Sequence, residues 1–193
     1  MHMKSLTDQE LINSYLSGND RAFETLLNRH KNKIYTSIYL FVKDTAKAED
    51  IFQEVFIKII DTLRKGKYNH EGKFLQWAMR IAYNMCVDNF RRSKRRTKVS
   101  STDTFDIFDV LECPHPNMEE DMIRNQTHNK VRQLVDQLPP EQREVVILRH
   151  YADMSFKEIA QLTRVSINTA LGRMRYALIN MRKMVEEKEV VLQ

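Results

Sequence analysis

Residues 74–96 read FLQWAMRIAYNMCVDNFRRSKRR, an apolar and aromatic half followed by a burst of positive charge. Phe74, Trp77, Ala78, Ile81, Ala82 and Met85 recur at helical spacing, so one stripe of this segment faces a core. Arg80, Asn84 and Asp88 break the apolar run well short of the roughly 18 residues that a bilayer span needs. A membrane helix is thereby removed, and two readings remain. The segment is a core helix with a solvated basic tail, or its flank of Arg80, Asn84, Val87 and Arg91 beside Trp77 is a surface for nucleic acid.

Working outward, the 193 residues give room for one domain or two small ones. With 42% hydrophobic and 30% charged residues the chain can build a packed core. Only four glycines and four prolines occur, among abundant Leu, Ile, Met, Ala, Glu, Lys and Arg, which predicts an all-α protein. The net charge of +5 is modest, but it is segregated. Residues 64–98 carry eleven Lys and Arg against two acids, and residues 99–127 carry seven acids and one base. A basic surface beside an acidic spacer points to nucleic acid as partner. Two cysteines, Cys86 and Cys113, make no disulfide framework, and the first residues lack the apolar stretch of a signal peptide, so a cytoplasmic protein is expected.

Upstream of the opening stretch, Thr7 and Glu10 predict a capping box on a short helix that Gly18 closes. Asp20 starts a longer helix with Phe23, Leu26, Leu27, Ile34 and Ile38 inward, and a third runs from about Ala46 to Leu63. That third helix has two stripes. Ala48, Phe52, Val55, Phe56 and Ile59 form the buried one; Asp50, Gln53, Glu54, Ile57 and Asp61 form the other. An isoleucine inside an acidic stripe suggests a protein partner, against the alternative of a solvated face. The next segment, LRKGKYNHEGKF, is a loop bringing Lys65, Lys67, Tyr68, Asn69, His70 and Lys73 to the start of the opening helix, which extends to about Arg92. An aromatic face, amides and cations together are what capture of an unstacked base requires.

Downstream, residues 98–116 are polar and acidic with Pro114 and Pro116, a flexible linker. Asn117 is positioned to cap a further helix with Glu119, Glu120 and Asp121 in its first turn. After Pro139 and Pro140 come EQREVVILRHYA, then SFKEIAQLT and SINTALGRMRYALINMRKMVEE, separated by about three residues. Ser155 and Glu158 make a second capping box, and Ser166 caps the last helix. There Ala170, Met174, Ala177, Leu178 and Met181 fall on the core side; Thr169, Arg173, Tyr176 and Asn180 fall on another, near Asn168 and Arg175. A short helix, a tight turn and a longer helix with a polar, basic face form a helix-turn-helix, whose Arg and Asn suit base edges and whose Thr and Tyr suit phosphates. A plain helical hairpin with a solvated face is the alternative. No catalytic constellation, cofactor loop or metal-ligand set is present; Cys113 and His115 stand in the linker without further ligands.

In this order the pieces resemble bacterial RNA polymerase sigma factors of the extracytoplasmic-function group. AEDIFQEVF resembles the clamp-binding helix of region 2, FLQWAMRIAYNMCVDNFRR the promoter-melting and minus-ten helix, and LPPEQREVVILRHYADMSFKEIAQLTRVSINTALGRMRYAL region 4. The resemblance implies two small helical domains, region 2 over 6–97 and region 4 over 117–187, joined by the 98–116 linker. It implies core polymerase as partner, through the clamp helices of the largest subunit and the flap of the second largest, with Asp50, Gln53 and Glu54 on the clamp; Ile57 joins them from its place in the acidic stripe. Lys65, Lys67, Tyr68, Asn69, Lys73, Trp77, Arg80, Asn84, Arg91 and Arg92 would serve minus-ten DNA, including the non-template single strand. Ser166, Asn168, Thr169, Arg173, Arg175 and Tyr176 would serve the minus-thirty-five duplex. Leu171, Gly172, Arg175 and Tyr176 depart from the family's usual recognition helix. An anti-sigma factor is a further partner of this class; enzymatic activity, a cofactor and a membrane are not implied. A larger machine is also needed on energetic grounds. Stacking one captured base yields about 1–3 kcal/mol, while opening duplex costs about 1.4 kcal/mol per step. A stand-alone helix-turn-helix regulator and a protein-interaction adaptor are the rival readings.

Overall fold

The structure is a computed structural model that describes residues 5–69, 72–96 and 130–187. The acidic linker, the helix capped by Asn117, His70, and the Cys113–His115 pair lie outside the described residues. Among those described there is no strand. The helices are α1 (Asp8–Leu16), α2 (Asp20–Val42), α3 (Thr45–Arg64), α4 (Phe74–Arg96), α5 (residues 130–136), α6 (Pro140–His150), α7 (Phe156–Thr163) and α8 (Ile167–Glu187).

Local chemistry accounts for the helix ends. Thr7 Oγ1 accepts from the Glu10 N–H at 3.3 Å, and Glu10 Oε2 accepts from the Thr7 N–H at 2.7 Å, completing the expected capping box of α1. Asp8 then ties α1 to α2 through Arg29 at 2.6 Å and His30 at 2.8 Å. Burial pulls the Asp8 carboxyl upward, but the bonds and charges of His30 and Arg29 outweigh it and hold the group below its ordinary range. The α2 helix stops where Lys43 turns left-handed at φ 52°, and Asp44 caps α3 by accepting from the Lys47 N–H at 3.0 Å.

The first four helices form a bundle in which Ile34, Ile38, Ile59, Leu63 and Phe74 have no more than 2% of their surface exposed. Side chains of this size each contribute on the order of 1.5–3 kcal/mol when fully buried. The last four helices, α5 among them through Val135, form the second unit. Pro140 opens α6 at its first position, where no intrahelical N–H is needed. Ser155 and Glu158 make the second capping box, and Arg164 ends α7 left-handed at φ 58°. Ser166 Oγ accepts from the Thr169 N–H at 3.0 Å, which starts α8 at once and produces the helix-turn-helix.

Three features go beyond the periodicity. The α4 helix continues to Arg96 rather than ending near Arg92. Leu178, expected on the core side of α8, is 42% exposed. Only a narrow line through Ala170 and Ala177 is fully covered, because small residues let α8 approach α6 and α7 closely there. Finally, the two units pack against each other. Leu40 of α2 is fully buried in a cluster otherwise drawn from Val135, Leu138, Val146, Ile147 and Ala177, and the Phe41 and Tyr83 rings meet edge-on at 5.6 Å.

Candidate nucleic-acid and partner surfaces

The α3 stripe stands where the periodicity places it. Asp50, Gln53, Glu54, Ile57 and Asp61 are all exposed, Ile57 at 64%, while Ala48, Val55, Phe56 and Ile59 on the opposite side are buried. Asp61 is engaged by Lys65 at 2.9 Å, and that ammonium draws its carboxyl below the ordinary range. An exposed branched aliphatic framed by carboxylates and an amide offers an apolar anchor with a polar rim, the arrangement of a protein–protein contact.

The loop and α4 build a second surface. Gly66 at φ 63° ends the turn after α3, and Gly72 at φ 71° turns the chain into α4; a left-handed backbone at both suits glycine. The Tyr68 ring sits 4.4 Å from Trp77, and Phe74 lies 5.8 Å from Trp77 and 6.1 Å from Tyr68, centroid to centroid. Phe74 is buried, whereas Tyr68 and Trp77 are half-exposed, so the cluster presents an aromatic wall braced from behind. Lys65, Lys67, Asn69 and Lys73 are exposed around it, and Arg80, Asn84, Arg91 and Arg92 are exposed along α4. Asn84 is seven residues from Trp77, about 10.5 Å along the helix axis. A π-face, an amide and several cations are thus brought to one side of the unit, sufficient for stacking, edge recognition and phosphate neutralisation. Arg91 also meets Asp88 at 3.6 Å, and Lys73 donates to Glu158 of α7 at 2.8 Å.

The third surface lies at the start of α8. Asn168, Thr169, Arg175 and Tyr176 are exposed, Tyr176 at 61%. Ser166 and Thr169 are partly occupied with each other, their hydroxyls 2.9 Å apart. Arg173 differs from the expectation of an outward-facing reader: its Nη1 lies 3.4 Å from Glu144 Oε2 on α6. Asn180 likewise turns inward and donates to Gln142 at 2.8 Å. These two belong to the α6–α8 seam.

Glu144 is the residue that sequence reasoning missed. Its other oxygen accepts from the Tyr83 hydroxyl of α4 at 2.7 Å, so one carboxylate ties the middle of α4 to the recognition helix. Burial pushes the Glu144 carboxyl up against the opposing pull of Tyr83 and Arg173, and burial with the Glu144 charge pushes the Tyr83 phenol up. Lys33 and Lys43, also unmarked in the sequence, pair across the same seam with Asp153 at 2.9 Å and Asp136 at 3.0 Å. No periodicity signals such pairs, because their partners lie roughly a hundred residues away. Cys86 is buried, its thiol pushed up to about 12, which leaves it inert. No cluster of metal-ligating side chains occurs among the described residues.

A helical bundle with a basic aromatic surface, followed by a helix-turn-helix, defines a DNA-binding protein of two packed parts. Family models agree on both parts: Sigma-70 region 2 matches residues 26–96, and Sigma-70, region 4 matches residues 128–175. The RNA polymerase sigma-H factor of Pseudomonas aeruginosa is 30% identical over 171 residues, covering 86% of this chain and 87% of that protein. The ECF RNA polymerase sigma factor SigW of Bacillus subtilis is 25% identical over 180 residues, covering 91% and 95%. In fold, the chain is similar to the sigma factor RpoE in complex with the anti-sigma factor NepR from Bartonella quintana. The TM-score there is 0.65 at 16% identity, over 85% of this chain and 96% of that one. CnrH, solved with the cytosolic domain of CnrY, gives a TM-score of 0.60 at 22% identity, over 93% and 97%. The chain belongs to the extracytoplasmic-function group of the sigma-70 family. It is an alternative sigma factor acting in promoter recognition and transcription initiation, and the stand-alone regulator is not favoured. No described helix is long and apolar enough to cross a membrane.

Proposed function

We propose that the three surfaces divide the work of initiation within this chain. The α3 stripe of Asp50, Gln53, Glu54 and Ile57 docks on the clamp helices of the largest core polymerase subunit. The wall of Tyr68 and Trp77, with Lys65, Lys67, Asn69, Lys73, Arg80 and Asn84, takes a minus-ten base of the non-template strand, and Arg91 and Arg92 hold phosphates beyond it. Ser166, Asn168, Thr169, Arg175 and Tyr176 meet the minus-thirty-five duplex, joined by Arg173 once it leaves Glu144, while region 4 rests on the flap of the second-largest subunit. The functional boundaries are 6–97 for region 2, 98–116 for the linker and 117–187 for region 4, and the chain works at the nucleoid. An anti-sigma factor is a further partner, as NepR is of RpoE. The chain acts as a specificity subunit and carries out no chemistry of its own.

The observation that carries this reading is Ile57, 64% exposed in the middle of the acidic stripe and diametrically across α3 from the core. The test is capture of core polymerase by the full chain, with transcription from a genomic promoter library as second readout. Gln53→Ala with Glu54→Lys should weaken capture at least about tenfold, roughly 1.4 kcal/mol, with unchanged thermal unfolding. Wild-type capture by that variant would overturn the clamp assignment; no stimulation over core polymerase by the native chain would overturn the reading.

A further inference from the structure

Gly172 stands inside α8 without a reason in the protein itself. Among the described residues, none comes within 4 Å of where a Cβ at Gly172 would be, and its φ is not left-handed. Neither packing nor backbone conformation therefore calls for glycine there. In a helix interior glycine is the least favourable residue after proline, because it gives up the most backbone freedom and covers nothing. Gly172 lies on the side of α8 away from the buried Ala170 and Ala177. Thr169 three residues before it and Tyr176 four after share that side. These three line an open groove of about 430 Å³, together with Arg173 and with Glu141 and Gln142 from the start of α6. The groove is far larger than the methyl group an alanine would add, so the missing side chain makes room for something outside the protein.

We infer that Gly172 is a specificity-determining position, where the backbone of α8 meets a base-pair edge and receives the 5-methyl group of a thymine between Thr169 and Tyr176. The inference rests on the functional reading above, in which α8 enters the minus-thirty-five major groove. That groove is about 12 Å wide, close to the diameter of a helix with its side chains. A helix that drops one inward side chain settles deeper by on the order of 1.5 Å, the length of a C–C bond. The lining selects the occupant. Glu141 is exposed at the groove and repels a phosphate, and the Arg173 guanidinium lies 3.4 Å from the Glu144 carboxylate. The Thr169 hydroxyl is 2.9 Å from that of Ser166, which leaves the threonine its methyl group for a ligand, and Tyr176, 61% exposed, adds a ring. A notch walled by a methyl and an aromatic matches the thymine methyl, which of the four bases only thymine carries into the major groove. Leu171, 44% exposed beside it, likewise has no hydrogen bond to offer a guanine.

The test takes a promoter recovered from the genomic library with core polymerase and the native chain. Its minus-thirty-five thymines, on both strands, are replaced one at a time by deoxyuridine, which lacks only the methyl group. The half-saturating concentration of holoenzyme in transcription is measured for each template, with the native chain and with Gly172→Ala. For the native chain one thymine should matter, and its replacement should weaken binding about fourfold, the effect of one buried methyl. Alanine moves that methyl to the protein. On the thymine template Gly172→Ala should lose at least about fivefold, the lower end for one major-groove contact, although its denaturant midpoint is higher. On the template with uracil at that position it should recover to within about twofold of the native pair, inside the usual error of additivity. A native chain indifferent to uracil at every position overturns the inference, and so does an equal response of the two chains. Either result with promoter-directed transcription intact leaves the functional reading standing. A native chain that directs no transcription over core polymerase overturns that reading and this inference together.

Discussion

Replacing Glu158 by alanine removes three interactions at one helix end. The side chain accepts from the Ser155 N–H at 2.8 Å and from the Ser155 hydroxyl at 2.7 Å, and it receives Lys73 Nζ at 2.8 Å. Loss of the reciprocal cap costs about 1 kcal/mol. Loss of a negative charge in the first turn of α7 costs about 0.3–1 kcal/mol, and loss of a solvent-facing ion pair about 0.2–1 kcal/mol. The sum is about 2 kcal/mol, which lowers the melting temperature of a chain this size by roughly 4–8 °C. Glutamine keeps the hydrogen bonds to Ser155 without the charge, so Glu158→Gln should fall about half as far. The same comparison has a pH signature. Lys73 and Ser155, against an upward pull of burial, hold the Glu158 carboxyl at about 2, below its ordinary 4.5. A lowered folded-state value stabilises fully above the ordinary value and is lost as pH falls from about 4.5 through about 2. The gap between native and glutamine chains should therefore close across that window. Thermal unfolding followed by circular dichroism from neutral to acid pH measures both effects. An alanine variant within about 0.3 kcal/mol of the native chain, below ordinary single-site scatter, or a gap to glutamine that persists at pH 2, would refute the reasoning.

Gly172 lies inside α8 with open space where a Cβ would go, so Gly172→Ala should raise stability by about 1 kcal/mol, read as a higher denaturant midpoint. Two isoleucines two residues apart on α3 should behave oppositely. Ile59→Ala empties a fully buried site and should cost about 2–5 kcal/mol. Ile57→Ala should leave stability within about 0.5 kcal/mol, yet weaken polymerase capture in a pull-down. Asn84 is exposed on α4, so Asn84→Ala should preserve the fold while reducing binding of a fluorescent non-template minus-ten oligonucleotide; unchanged binding would remove Asn84 from the pocket.

Local chemistry along the chain dictates the elements and which side of most of them is wet. The capping boxes at Thr7–Glu10 and Ser155–Glu158 are local hydrogen-bond chemistry, complete within four residues, and both formed as the residues dictate. The two stripes of α3 follow from helical periodicity, and the exposure of Ile57 against the burial of Ile59 obeys it. Periodicity falls short where a helix meets a second partner. Tyr83, Met79 and Cys86 of α4 are buried in addition to the expected stripe, because helical spacing predicts a single inward face and α4 has neighbours on more than one side. On α8 the opposite happened: Leu178 stands about 100° around the helix from Ala177, and it is 42% exposed where Ala177 is fully buried. The seam arises from packing alone. Lys33, Lys43, Asp136 and Asp153 carry no mark in the sequence, and Lys73 and Glu158 are marked there for a loop and for a helix cap, not for each other. Their pairing depends on how two units pack, and attraction between charges distant along the chain leaves no local periodic trace.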